Sequence, residues 1–357
     1  MENSKYYLWL SSLPGIGCVT VRRLLQHFGS PRDVYEAGEE AVRGCDFLRP
    51  GQVSSMILHH QQADPDALYE NMVRCGVRCV PFGDPAFPAA LRDIPDAPTA
   101  LYVIGRLPSD EELCISIVGA RGCTAHGMQT AELLARGLAC SGVSIVSGMA
   151  RGIDSCAHQG CLDGGGRTYA VLGCGPDICY PAENMNLYME IQKEGGIISE
   201  FIPGTKPSGP HFPMRNRIIA ALSAGTAVVE ARERSGSLIT ADLALGYGRD
   251  IFAVPGRPDD ALSAGCNHLI RSGARPVCGA EDILREYDMQ VRSTVMQNGM
   301  SGSSKAILSC IGLTDCSADD IAARTGMPIE QVMSGLTMLE LTGRIRRIGK
   351  NRYMLIL

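Results

Sequence analysis

Four arginines stand in or beside short turns of small residues, a combination that grips anions rather than breaks bonds. The turns are Gly119-Ala-Arg121-Gly122, Ser147-Gly148-Met-Ala150-Arg151-Gly152, Phe212-Pro-Met-Arg215-Asn216-Arg217 and Ser235-Gly236-Ser237. A guanidinium stays charged at any working pH and presents a fork of donors that fits phosphate oxygens. Glycine lets the main chain approach a ligand closely, and the unpaired N–H groups at the start of a following helix favour negative charge. One arginine after a strand is more often a surface salt-bridge partner, and Asn216 or Ser237 alone reads as a helix cap. Four arginines and three small-residue turns on one edge predict a phosphate site, with Arg121, Arg151, Arg215 and Arg217 each neutralising one phosphate.

Signatures of other chemistries are missing. The chain has no G-x-x-x-x-G-K-[ST] run, no G-x-G-x-x-G, no H-E-x-x-H, no G-x-S-x-G and no C-x-x-C pair. ATP-type phosphate cradling, a dinucleotide cofactor and a zinc centre therefore have no support. His126 and His158 fall in predicted helices and His211 in a Pro/Gly-rich loop, where capping or packing is expected of each. General acid–base catalysis needs titratable groups poised at a substrate. Glu230 and Asp154 are the only carboxylates close to the turns in the pattern, and both stand at element boundaries. No catalytic residue, metal or cofactor is expected.

The elements that must position these turns alternate in type. Cys114–Val118 and Val143–Val146 are short apolar runs of the buried-strand kind, each followed by a small-residue turn and a helical stretch. In the first of those stretches Ala131, Leu134, Ala135 and Leu138 recur at helix spacing. Further strands are predicted at Tyr169–Leu172, Ile197–Glu200, Ala227–Glu230, Ile251–Val254 and around Pro276–Val277. Strands separated by helices imply a parallel, doubly wound α/β sheet, which binds ligands at the carboxyl ends of its strands.

The flanks read as separate modules. Residues 1–72 form short helices, with Leu13-Pro-Gly-Ile-Gly17 as a tight turn before a helix around Val19–Phe28. That turn resembles a helix-hairpin-helix hairpin, which can contact a DNA phosphate; a packing or protein-interaction module is an equal reading. Residues 73–113 lead into the central domain, which runs to 290. A linker follows at 291–304, rich in Ser, Asn, Gly and Met. Helices at Lys305–Cys310, Ala318–Thr325 and Pro328–Leu341 and two strands around Gly349-Lys-Asn351 make residues 305–357 a winged helix. Ser317 and Asp320 are spaced as a capping box. The third helix carries Glu330 and Glu340 and no Lys or Arg, which is wrong for base readout between phosphates. A regulatory or protein-contact role is favoured, with backbone contact by Arg344, Arg346, Arg347, Lys350 and Arg352 of the wing as the second reading.

Several motifs in one order resemble a known family. They are Ile117-Val-Gly-Ala-Arg121, Ile145-Val-Ser-Gly-Met-Ala-Arg-Gly-Ile-Asp154 with His158, Ala170-Val-Leu-Gly173 with Tyr180-Pro181 and Asn184, and Phe212-Pro-Met-Arg-Asn-Arg-Ile-Ile219. Val228-Val-Glu230, Ser235-Gly-Ser-Leu-Ile-Thr240, Phe252-Ala-Val-Pro-Gly256, Gly265-Cys-Asn267 and Leu269-Ile270 continue the set. Together they resemble the bacterial DNA processing protein A (DprA, or Smf) family. The resemblance implies an extended Rossmann-like domain that binds single-stranded DNA, helps load the RecA recombinase during natural transformation, forms a homodimer through the central domain and catalyses nothing. It implies that Arg121 and Arg151 hold the DNA backbone and that the Ser147–Gly152 turn touches phosphate.

Composition bears on partners and compartment. At 357 residues the chain has room for two or three domains. Fifteen cysteines without zinc spacing, and no signal-peptide pattern, imply a reducing cytoplasm, and no apolar run approaches membrane-spanning length. The formal net charge of -5 opposes general affinity for nucleic acid, so a local field of arginines has to supply it. Three functions are open to such a chain: a single-strand DNA-binding recombination mediator, a nucleotide phosphoribohydrolase using Glu230, and a duplex regulator acting through the winged helix. The absence of P-G-G-x-G-T-x-x-E disfavours the second, and the acidic third helix disfavours the last. A chain with one Trp and seven Phe offers no aromatic base platform that can be located from the pattern.

Overall fold

The computed structural model describes residues 3–289, 302–311, 316–341, 345–349 and 351–355. The expected linker lies outside the described residues from 291 to 301. Contacts divide the chain into two compact units, Met1–Arg292 and Ser293–Leu357.

The first unit is built on a nine-stranded sheet. Its strands are β1 (Arg78–Pro81), β2 (Ala100–Gly105), β3 (Cys114–Gly119), β4 (Ser144–Ser147), β5 (Thr168–Val171), β6 (Gly196–Ser199), β7 (Gly225–Val229), β8 (Asp250–Ala253) and β9 (Arg275–Pro276), in the order β1-β2-β6-β5-β4-β3-β7-β8-β9. From β6 through β9 every pairing is parallel, and the strand order reverses between β3 and β7. This is the expected doubly wound arrangement. It has an addition not expected from the sequence: β2 pairs antiparallel with β6, and β1 antiparallel with β2. The run Ala100-Leu-Tyr-Val-Ile104 carries the buried-strand pattern, but the prolines around it read as an entry loop.

Alternate side chains of each strand serve opposite faces, and helices cover both, which is why these strands are almost continuously apolar. Ile115, Ile117, Ile145 and Val229 pack against the helices Ala125–Cys140 and Ile153–Asp163, burying Ala131, Leu134, Ala135 and Leu138 as the spacing predicts. Val118, Val146, Val171 and Val228 face the helices His211–Leu222 and Gly236–Gly246 through Ile218, Ile219 and Ala241. His211 thus opens a helix instead of lying in a loop. Pro210 and Pro213 suggest a loop, but a helix tolerates proline in its first turn, where the N–H groups have no intrahelical partner.

Six helices between Ser4 and Arg74 surround their own core of Trp9, Leu10, Leu24, Val34 and Met56. They also join the sheet: Leu8 and Met72 cluster with Ala100 and Tyr102, and the Tyr102 hydroxyl donates to Ser11 Oγ at 2.8 Å. Gly15 has φ +73° in the turn that precedes the helix Cys18–Phe28.

The second unit has helices Gly302–Cys310, Ala318–Thr325 and Ile329–Leu341 and a small antiparallel sheet of Cys316–Ser317, Arg352–Leu355 and Ile345–Gly349. Its first helix begins three residues inside the expected linker. The capping box forms: Asp320 N–H donates to Ser317 Oγ at 3.1 Å, and Ser317 N–H to Asp320 Oδ2 at 3.2 Å. Ile307, Ile321, Val332, Leu336 and Tyr353 fill its core.

Candidate nucleic-acid interface

The turns after β3, β4 and β5 open onto one small cleft of about 40 Å³ at the carboxyl edge of the sheet. Arg121, Gly148, Ala150, Arg151 and Arg215 line it together with Gly173, Tyr180, Pro181 and Phe212. Arg121 and Arg151 are exposed. The guanidinium carbon of Arg121 lies 5.2 Å from the Phe212 ring centre, within cation–π range. Phe212 stacks on Tyr180 with centroids 5.5 Å apart and planes at 29°, leaving Tyr180 41% exposed. An exposed aromatic face in one cleft with two exposed arginines suits a nucleobase and its phosphates. Tyr180 was absent from the predicted site and Phe212 entered it only as the start of the Arg215–Arg217 stretch, because nothing in their spacing says that residues 32 apart in the chain will stack.

The four arginines do not act alike. Arg215 is buried, and its Nη1 donates to the carbonyl oxygens of Gly148, at 2.7 Å, and Val171. A Cβ on Gly148 would come within 2.5 Å of that guanidinium. The glycine therefore leaves room for the protein's own arginine, not for a ligand. Burial pulls the Arg215 pKa down to about 10, against the field of Asp154, and Arg121 lowers it further. Burial also pushes Asp154 up, while Arg215 and the N–H groups of Ala150 and Gly148 oppose that shift. Gly152, at φ +76°, is the hinge of the turn; a Cβ there would lie 2.5 Å from the Ala120 carbonyl oxygen.

Arg217 lies outside the cleft. It is 5% exposed and pairs with Glu200 at 2.5 Å and Asp96 at 3.3 Å. Residues two apart on a helix point about 200° away from each other. Arg215 and Arg217 consequently cannot enter one cleft: Arg215 lines it from a buried position, Arg217 does not, and of the four expected arginines Arg121 and Arg151 are the exposed ones.

The remaining predicted residues support the cleft from behind. Gly119 ends β3 beside Val229 with Ile153 packed on it. Ser147 is buried and donates to the Ile117 carbonyl at 2.6 Å. Asn216 donates to the Gly236 carbonyl at 3.3 Å, while Ser235 caps the helix Gly236–Gly246 by accepting from Ser237 N–H at 3.4 Å. Ser235, Gly236 and Ser237 are not among the cleft residues. Of the histidines, His158 is buried against Thr168 Oγ1 at 2.6 Å, and burial takes its pKa down to about 3. His211 stacks on Phe201 with centroids 4.1 Å apart.

A second, wider opening of about 680 Å³ lies at the reversal between β3 and β7 and contains Glu230. Glu230 has φ +51°, and its carboxylate accepts from Thr124 N–H at 2.8 Å and from the Thr124 hydroxyl. It closes the start of the helix Ala125–Cys140, where Gly127 leaves space for it. Among the described residues no cluster of His, Cys, Asp and Glu could hold a metal ion, and no helix is long and apolar enough to cross a membrane.

Comparison with known proteins agrees with the motifs. Residues 78–288 match the family model of DNA recombination-mediator protein A, and residues 298–349 match that of the DprA winged helix domain. Protein Smf of Synechocystis is 33% identical over 99% of this chain and 99% of its own. The crystal structure of DNA processing protein A from Streptococcus pneumoniae covers 79% of this chain and 97% of its own, with 35% identity and a TM-score of 0.70. A structure of the Helicobacter pylori protein, described by its single-stranded DNA binding mode, covers 60% of this chain and 97% of its own, with 30% identity and a TM-score of 0.54. With its central sheet, its winged helix and a full-length relative at this identity, the chain belongs to the DNA recombination-mediator protein A (DprA/Smf) family.

Proposed function

We propose that the protein is a single-stranded DNA-binding recombination mediator that passes its strand to the RecA recombinase during natural transformation. One observation carries the binding step: Arg121 and Arg151 are exposed and line one cleft with the Tyr180–Phe212 stack. A base laid on Tyr180 puts its neighbouring phosphates within reach of the two guanidiniums, and this hold is independent of sequence because every base has a π face. Ser147, Gly148, Gly152, Arg215 and Asn216 keep the turn in shape. The cleft grips without turnover, in the cytoplasm, and the protein works as a homodimer through its central domain, handing over a strand too loosely held to obstruct RecA.

The test is the affinity for oligo-dT as a function of salt. Arg121→Ala weakens binding about tenfold or more and flattens the log–log slope by about 0.7, the share of one phosphate on a single strand. Unchanged affinity and slope in this variant, with normal melting, overturn the site. Light scattering reports the dimer, and RecA filament growth on protein-coated strands reports the handover.

A further inference from the structure

One side chain at the mouth of the cleft has the wrong sign for a phosphate site. Glu183 meets Arg151 side by side, with Nε to Oε1 at 2.5 Å and Nη2 to Oε2 at 2.8 Å. This two-pronged contact uses the donors that a phosphate would take. The carboxylate is held there by the fold. It lies in the short 3-10 turn Ala182–Asn184, directly after the Tyr180-Pro181 wall of the cleft, and Asn184 Nδ2 donates to the Met149 carbonyl at 3.0 Å. That bond pins the turn beside Arg151. Both partners are more than half exposed, at 63% and 53%, so the pair is weak and can be displaced.

We propose that Glu183 is a built-in phosphate mimic that must yield Arg151 before a strand is held, and so sets the shortest single strand the cleft retains. The proposal rests on the site described above. A lone nucleotide brings one phosphate and competes with a carboxylate already in place. A longer strand stacked on Tyr180 and anchored at Arg121 presents its next phosphate at high effective concentration and displaces Glu183. The exchange returns a carboxylate to water for each phosphate gained. The freed carboxylate leaves a negative charge beside the strand, so fewer counterions leave the strand than a free arginine would displace.

The experiment compares the full chain with Glu183→Gln on oligo-dT of graded length across a salt series. Glutamine keeps the size and loses the charge. Affinity rises about fivefold, the scale of one exposed pair, with the gain largest for the shortest strands, and the log–log slope steepens by about 0.7. In an Arg151→Ala background the same substitution leaves the slope unchanged, because no guanidinium is freed. Equal gains at all lengths, an unchanged slope, or a steepening that persists without Arg151 would each overturn the proposal. If Glu183→Gln changes nothing while Arg121→Ala weakens binding, the mimic is refuted and the site stands; if neither matters, the site itself is wrong.

Discussion

At the scale of the residue, the same side-chain type does three jobs. Arg121 and Arg151 are exposed at the cleft, Arg151 in a pair with Glu183, while Arg215 braces the Ser147–Gly152 turn from inside and Arg217 is one half of a buried ion pair. Burial decides the job. Arg215 commits its Nη1 to two carbonyls and Arg217 its Nε and Nη2 to carboxylates, and removing either leaves its partners uncompensated. Arg217→Met accordingly costs about 3 kcal/mol of stability, because Glu200 is stranded away from water. Chemical denaturation measures this loss, and the salt dependence of binding by the folded fraction stays at the wild-type slope. A flattened slope would return Arg217 to the interface.

At the scale of the element, boundaries carry the function while interiors carry the fold. Gly148, Ala150 and Gly173 follow strand ends and Phe212 lies in the first turn of a helix, and the turns are held by short-range devices: Gly152 at positive φ, Arg215 on the Gly148 carbonyl, Ser235 as a cap. Glu230 is one of these devices. Its carboxylate satisfies Thr124 N–H and hydroxyl at the start of the helix Ala125–Cys140, where the helix dipole also favours negative charge. Glu230→Ala therefore lowers stability by about 1 kcal/mol in urea titration, the usual value of a lost cap, and leaves single-strand affinity as it was. A variant of full stability with lost affinity would instead place the strand in the wider opening between β3 and β7.

At the scale of the whole molecule, the two units divide the work. The helix Ile329–Leu341 carries Glu330 and Glu340 and no Lys or Arg, so the surface that would enter a major groove repels phosphate. A chain ending at Arg292 keeps most of the single-strand affinity of the full protein, as measured by fluorescence polarisation of labelled oligo-dT. Loss of more than about 2 kcal/mol, roughly thirtyfold, from the folded fragment would move the DNA site to the basic wing.

The sequence by itself determined the family, the doubly wound sheet and the edge on which the cleft forms. Periodicity is local, and residues such as Ala131, Leu134, Ala135 and Leu138 report their own burial through spacing that needs no distant partner. The capping box of Ser317 and Asp320 was legible for the same reason. Tertiary structure alone decided which arginines face water, because exposure depends on what other segments cover. The stretch Phe212–Arg217 read as a turn, so its helical phase was not legible, and only the fold shows that Glu200 and Asp96 receive Arg217 and the β4 turn receives Arg215. The Tyr180–Phe212 stack, the Glu183–Arg151 pair and the antiparallel β1–β2 edge are likewise contacts between segments far apart in the chain. Local spacing carries no information about such meetings, since the closure of the intervening chain is settled by the packing of the entire sheet.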